Sequence, residues 1–113
     1  MSDDRATLID IANACRRVSV FMEGNDRPGF LSDLKTQSAV LHQLLVLGEA
    51  VRRLTPEFRM AHPDIDWQGY AGLRNVLIHQ YHNVDLHQVW KIAQEDVPEL
   101  SRQVDALLTN HMS

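Results

Sequence analysis

The sequence predicts an all-α protein: a compact antiparallel bundle with two long helices, shorter helices carrying a polar motif, and a kinked C-terminal helical segment. Apolar residues recur at helical spacing through the chain, and no strand-like alternation persists. Helix-start signals punctuate it, most clearly Thr55-Pro56-Glu57. The composition, 44% hydrophobic and 23% charged with five Gly and four Pro, is that of a soluble globular domain and not of a linker-rich chain. At 113 residues the expectation is one domain over 1–113. A domain of this size buries a modest share of its surface, so a partner or second copy would help.

The first helix is expected over about 3–22. Leu8, Ile11, Ala12, Cys15, Val18 and Met22 form one stripe, and Asp3 and Asp4 suit its start by capping and by the helix dipole. Gly24-Asn25-Asp26-Arg27-Pro28-Gly29 reads as a loop. A second long helix follows over about 32–54, with Val40, Leu44, Leu47, Val51 and Leu54 as its seam and Leu41 and Leu45 widening it. Gly48 sits in its interior at a cost of about 1 kcal/mol against Ala, which close approach of another helix would explain. Glu49 lies beside the seam and either takes a partner or points outward.

Thr55 and Pro56 open a short helix that ends near His62-Pro63, and Asp66 can cap another turn around Trp67. The motif helix is expected from about Tyr70 to Gln80. Asp85 then caps a helix at Leu86 that packs through Leu86, Val89, Trp90 and Ala93. A break or kink is expected near Asp96–Pro98, where Pro removes a backbone donor. The last helix uses Val97, Leu100, Val104, Leu107 and Leu108. Trp67 and Trp90 read as core anchors rather than stacking platforms for bases.

Charge and cysteine content narrow the function classes. Eleven Lys and Arg against fifteen Asp and Glu give a formal net charge of −4, which disfavours broad coating of nucleic acid but leaves room for a small basic cleft. Cys15 is the sole cysteine; it cannot form an internal disulfide and reads as a packed thiol, which suits a reducing, cytoplasmic compartment. No secretory signal pattern opens the sequence and no apolar run is long enough to span a bilayer, so no membrane role is expected. Six His residues invite a metal hypothesis, but HExxH and paired CxxC motifs are missing, so neither metal nor cofactor is expected. His42, His62 and His111 read as solvated surface. Arg52-Arg53 reads as a cation pair at a helix C-terminus, with RNA binding as the other possibility.

The segment Arg74-Asn75-Val76-Leu77-Ile78-His79-Gln80-Tyr81 carries the chemistry. It reads Arg-Asn-x-x-x-His-x-Tyr. A guanidinium can hold a phosphate with a planar fork of donors, and an imidazole can move protons near neutral pH. Asn75 and His79 are i and i+4 and share a helix face. Arg74 and His79 are i and i+5, roughly 140° apart on an ideal helix. They meet at one phosphate if the helix loosens near His79, if a second copy faces the first, or both.

The octet resembles the signature of the HEPN superfamily, in particular the small HEPN toxins paired with minimal nucleotidyltransferases. The likeness also covers Lys35–Val40, Gly48–Leu54, Val84-Asp85-Leu86 with Val89-Trp90, and Glu95–Leu100, in order from about Asp3 to Leu108. The resemblance implies a HEPN-like helical fold and a metal-independent endoribonuclease acting on RNA, not DNA, as a homodimer. It implies Arg74 and His79 as the catalytic pair, with Asn75 orienting His79 or the phosphate. It further implies a cognate nucleotidyltransferase antitoxin that transfers AMP to Tyr81. Two rivals stand beside this reading. One is a non-catalytic helical partner of a nucleotidyltransferase, with the octet serving the interface. The other is a nucleotide-transferring enzyme built on Asp64 and Asp66, for which the usual Gly-Ser context is missing.

Overall fold

The computed structural model describes residues 3–75 and 85–111, and every element among them is helical. Helix α1 spans Asp4–Met22. Its start is fixed by the Asp3 carboxylate, which accepts from the Ala6 backbone N–H at 3.1 Å. The expected stripe of Leu8, Ile11, Ala12, Cys15, Val18 and Met22 is buried along its length. The chain leaves α1 through Gly24 at φ +76°, a left-handed conformation that costs glycine nothing.

The expected loop over 24–29 is in part a helix. Residues Arg27–Leu31 form α2, because Asp26 accepts from the Gly29 N–H at 2.8 Å and Pro28 falls in the first turn, where its missing donor is harmless. The buried Gln37 side chain donates to the Phe30 and Leu31 carbonyls at 2.9 and 3.1 Å, satisfying the far end. Phe30 thereby enters the core, with its ring 5.7 Å from that of Trp90.

Helix α3 spans Leu34–Arg52, with Asp33 as its cap. Asp33 accepts from the Thr36 N–H at 3.1 Å and the Thr36 hydroxyl at 2.5 Å. These bonds hold its carboxyl below the usual range. Val40, Leu44, Leu47, Val51 and Leu54 are buried as the periodicity requires. Helices α1 and α3 pack along each other and run antiparallel: Asp10 of α1 pairs with Arg53 at 3.0 Å, and Asp4 accepts from the Thr55 N–H and hydroxyl at 2.9 and 2.7 Å. Thr55 Oγ1 in turn caps α4, Pro56–Ala61, by accepting from Phe58 at 3.1 Å.

Helix α5, Trp67–Ala71, is capped by Asp66 and packs on α3. Trp67 is buried and its indole N–H donates to the His62 carbonyl at 3.0 Å. His62 is not the solvated surface residue expected: its ring lies 4.6 Å from Phe58, partly buried. His42 is exposed, and the His111 side chain lies outside the described residues.

Helix α6, Leu86–Lys91, starts at Asp85, which accepts from the His87 and Gln88 N–H groups at 3.0 and 3.3 Å. The expected kink near Pro98 takes the form of a π-helical turn over Ile92–Asp96, which leads directly into α7, Val97–His111. Pro98 cannot donate to the carbonyl four residues back, and its ring crowds that carbonyl; a wider turn relieves both. Helix α7 packs on α1 through Val97, Leu100 and Val104, with Leu107 and Leu108 partly buried. Burial pushes the Cys15 thiol up to about 12, the state of an inert packed group.

Candidate functional site

The site is assembled where the last two turns of α3 meet α5 and the start of the motif. Gly48 sets the separation. A Cβ built on it would lie 3.1 Å from the Tyr70 carbonyl oxygen and 3.5 Å from the Arg74 nitrogen. Any side chain there would hold the motif backbone away from α3. The interior glycine expected to mark a close approach therefore does so, and the approaching segment is the one that carries Arg74.

One residue further along α3, Glu49 meets Arg74. The Nε–Oε1 distance is 2.7 Å, and the side chains are 46% and 48% exposed. Each of the two readings open for Glu49 holds in part: the carboxylate has a partner, but it is exposed and points outward rather than being buried. Such exposure makes its net worth to stability small, of order 0–1 kcal/mol. Its consequence is positional: the carboxylate fixes one edge of the guanidinium while much of the group stays accessible. A fork of donors held this way suits a phosphate or another oxyanion.

The expected helix from Tyr70 is not continuous. Helix α5 begins earlier, at Trp67, and closes at Gly72, whose N–H donates to the Gln68 carbonyl at 3.0 Å; residues 73–75 are helical again. Leu73 is buried, which turns Arg74 and Asn75 to the exposed side. Tyr70 anchors the segment from behind, its hydroxyl donating at 3.2 Å to the Asp96 carbonyl in the π turn. Burial, with Asp96 nearby, pushes this phenol up to about 12. His79 and Tyr81 lie outside the described residues, and so does the arrangement expected to bring His79 to Arg74.

Asn75 faces a cavity of about 290 Å³ that it shares with Arg52, Arg59, Gln68, Ala71 and Gly72. Arg59 and Gln68 were not singled out by sequence reasoning. They belong to different short helices, and no spacing rule joins them; only the packing of α5 on α3, with Phe58 of α4 against Trp67 of α5, does. Arg52 and Arg53 also separate: Arg53 is tied to Asp10, whereas Arg52 turns toward the cavity. Among the described residues no group of three or more His, Cys, Asp or Glu could hold a metal ion, and no helix is long and apolar enough to cross a membrane.

Comparison with known proteins places this chain in a family. A family model described as "Ribonuclease HepT-like" matches residues 11–107. A Thermococcus cleftensis protein named "Probable ribonuclease HepT" is 38% identical over 100 residues, covering 88% of this chain and 91% of the relative. A Methanocaldococcus jannaschii protein named "Putative RNase MJ1380" is 36% identical over 103 residues, 91% of this chain and 94% of the relative. A third, "Putative RNase TTE0752" of Caldanaerobacter subterraneus, is 32% identical over 108 residues, 96% of each chain. No solved structure gives a significant match. The helical architecture, the ordered motifs and a match across most of the chain agree: the protein belongs to the HepT-like ribonuclease family of HEPN proteins.

Proposed function

We propose that this protein is the toxin of a HEPN/nucleotidyltransferase pair, and that it cleaves RNA without a metal at a site centred on Arg74 and His79. The observation that carries this reading is the Glu49–Arg74 pair. It orients a half-exposed guanidinium beside Asn75, at the head of the Arg-Asn-x-x-x-His-x-Tyr motif. Relatives named as ribonucleases supply the substrate class.

In this mechanism Arg74 binds the scissile phosphate and stabilises the negative charge that grows on its oxygens during attack. The ribose 2′-oxygen attacks phosphorus and loses its proton, while the departing 5′-oxygen gains one. His79 serves one of these transfers, as base or as acid. The P–O5′ bond breaks as the P–O2′ bond forms, leaving a 2′,3′-cyclic phosphate and a 5′-hydroxyl. DNA is spared because it lacks the attacking group. Asn75 orients His79 or the phosphate through its amide. Glu49 acts through Arg74 and is a positioning residue. Two copies of the motif facing each other in a homodimer would close the cleft and overcome the i, i+5 angular separation.

Tyr81 supplies the control. AMP transferred to its phenol by the partner enzyme adds bulk and negative charge within the motif, which repels and blocks an RNA phosphate. Intact mass after co-expression with the cognate transferase reads this directly. Inhibition with an unmodified Tyr81 would reject the modification.

The nuclease reading is tested by incubating purified protein with transfer RNA in EDTA, beside Arg74→Ala and His79→Ala. The wild type should cut and leave cyclic-phosphate ends. Removing Arg74 should slow cleavage about 10²–10³-fold, as for loss of one transition-state donor, without moving the melting temperature. Equal cutting by all three would trace the activity to a contaminant. No cutting by the wild type would leave a non-catalytic partner of the transferase as the better account.

A further inference from the structure

The cavity beside Asn75 gathers polar groups of which the cleavage step uses only Asn75. Two arginines, Arg52 from the last turn of α3 and Arg59 from α4, line it together with Gln68 and Asn75. Ala71 and Gly72 complete the wall with small residues, and among the described residues no carboxylate lines it. In a chain with fifteen acidic residues, a lining whose described residues include two arginines and no acid is a local reversal of charge. Among the described residues neither arginine enters an ion pair, whereas Arg53, Arg74 and Arg102 each do.

Arg59 is only partly compensated. One of its terminal nitrogens donates to the Leu54 carbonyl at 3.3 Å, but its Nε is buried without an acceptor. Arg59 as a whole is partly exposed, so the cost lies in that one buried N–H, which an acceptor entering the cavity would satisfy. Its bond to Leu54 suggests a plain capping role at the end of α3, and Arg52 in the last helical turn invites the same explanation. Capping does not account for the gathering of both arginines with Gln68 and Asn75 around one cavity that opens beside the motif.

We propose that this cavity binds a second phosphodiester of the RNA, neighbouring the one engaged by Arg74. The assignment rests on the nuclease reading for its ligand, and its placement follows from α3. Arg52 is three residues beyond Glu49, one turn further along the same side and about 4.5 Å along the axis. A strand whose scissile phosphate sits on Arg74 passes Asn75 and reaches the Arg52–Arg59 pair with its next phosphate. The volume of about 290 Å³ accommodates a phosphate with part of its sugar. The subsite reads backbone charge and carries no base specificity.

The test measures binding of single-stranded RNA to full-length His79→Ala protein by fluorescence anisotropy across a range of salt. Arg52→Gln, Arg59→Lys and Gln68→Ala are introduced into that background. Arg52 is exposed, so its variant should keep the parent melting temperature, while Arg59→Lys controls for the Leu54 bond. Arg52→Gln should weaken binding about tenfold and lower the slope of log affinity against log salt by about 0.7, the value for one lost contact to a single strand. Arg102→Gln, which removes a charge already paired with Glu99, should leave the slope unchanged. An unchanged slope and affinity in Arg52→Gln would overturn the subsite. So would a change equal to that of Arg102→Gln, which would mean loss of net charge alone. The two readings fail separately. A wild type that does not cut RNA, combined with the Arg52→Gln defect, would sink the nuclease and keep the subsite. A wild type that cuts while Arg52→Gln binds normally would do the reverse, and absence of RNA binding would sink both.

Discussion

Helix α3 divides the molecule into two regions that follow different rules. Its seam, Val40, Leu44, Leu47 and Val51, is sealed against α1 and has no access to water. A fraction of a turn away, Gly48, Glu49 and Arg52 face the motif segment, and the two charged residues are exposed. In the seam free energy comes from hydrocarbon removed from water, about 1.5–3 kcal/mol for each fully buried large side chain. On the other face little stability is at stake, because half-exposed ion pairs contribute little. What that face contributes is position. One rigid helix thus holds the fold with one side and aims a guanidinium with the other, so mutations on the two sides should separate stability from activity.

The largest effect on stability is expected in the seam. Leu47→Ala deletes buried methyl groups at a fully buried site and should cost about 2–5 kcal/mol, read as a lower urea midpoint with an unchanged slope. RNA cleavage per folded molecule should stay at the wild-type level. A loss of cleavage at concentrations where the variant remains folded would mean that the two faces are coupled.

Gly48→Ala probes the boundary. Alanine gains about 1 kcal/mol of helix propensity, but its Cβ would meet the Tyr70 carbonyl oxygen at 3.1 Å, and a backbone atom cannot swing aside as a side chain can. The melting temperature should move little while the Arg74 segment shifts by tenths of an ångström, for a roughly tenfold loss of cleavage. A stabilised variant with full activity would show that this close approach does not set the site.

The sequence made much of this comparison legible. The α1 and α3 stripes follow from simple periodicity, because long helices repeat their pattern several times. The caps at Asp3, Thr55, Asp66 and Asp85 follow from local hydrogen bonding, which short range suffices to specify. Gly48 was informative for the same reason that it is costly. Less was legible where the structure depends on distant partners. Helix α2 is five residues long and has no room for periodicity; its stability comes from Asp26 and from Gln37 on another helix. The interruption at Gly72 and the π form of the turn before Pro98 are adjustments to packing. The Glu49–Arg74 pair joins residues twenty-five apart, and the Arg52–Arg59–Gln68 cavity joins three helices. His79 and Tyr81 rest on the motif and the family likeness.

The smallest effect expected is in alkaline stability. Cys15 is raised from 9.0 and Tyr70 from 10.0, each to about 12, so the folded state keeps protons that the unfolded chain gives up. Their contribution is fully present below about pH 9 and is lost as pH rises toward about 12. Unfolding free energy should therefore fall with pH across that window, and Cys15→Ala should flatten the fall. The half-exposed Tyr70 should contribute less than its shift implies. An equally steep decline in Cys15→Ala would assign the loss to other groups.

The claim that α3 acts on catalysis by aiming Arg74 is tested most directly by a double-mutant cycle on single-turnover RNA cleavage. Glu49→Gln alone should slow the reaction about tenfold, and Arg74→Ala alone about 10²–10³-fold. If the carboxylate works through the guanidinium, the double variant is no slower than Arg74→Ala within about twofold. If the two losses multiply instead, Glu49 has a role of its own and the positioning account is wrong.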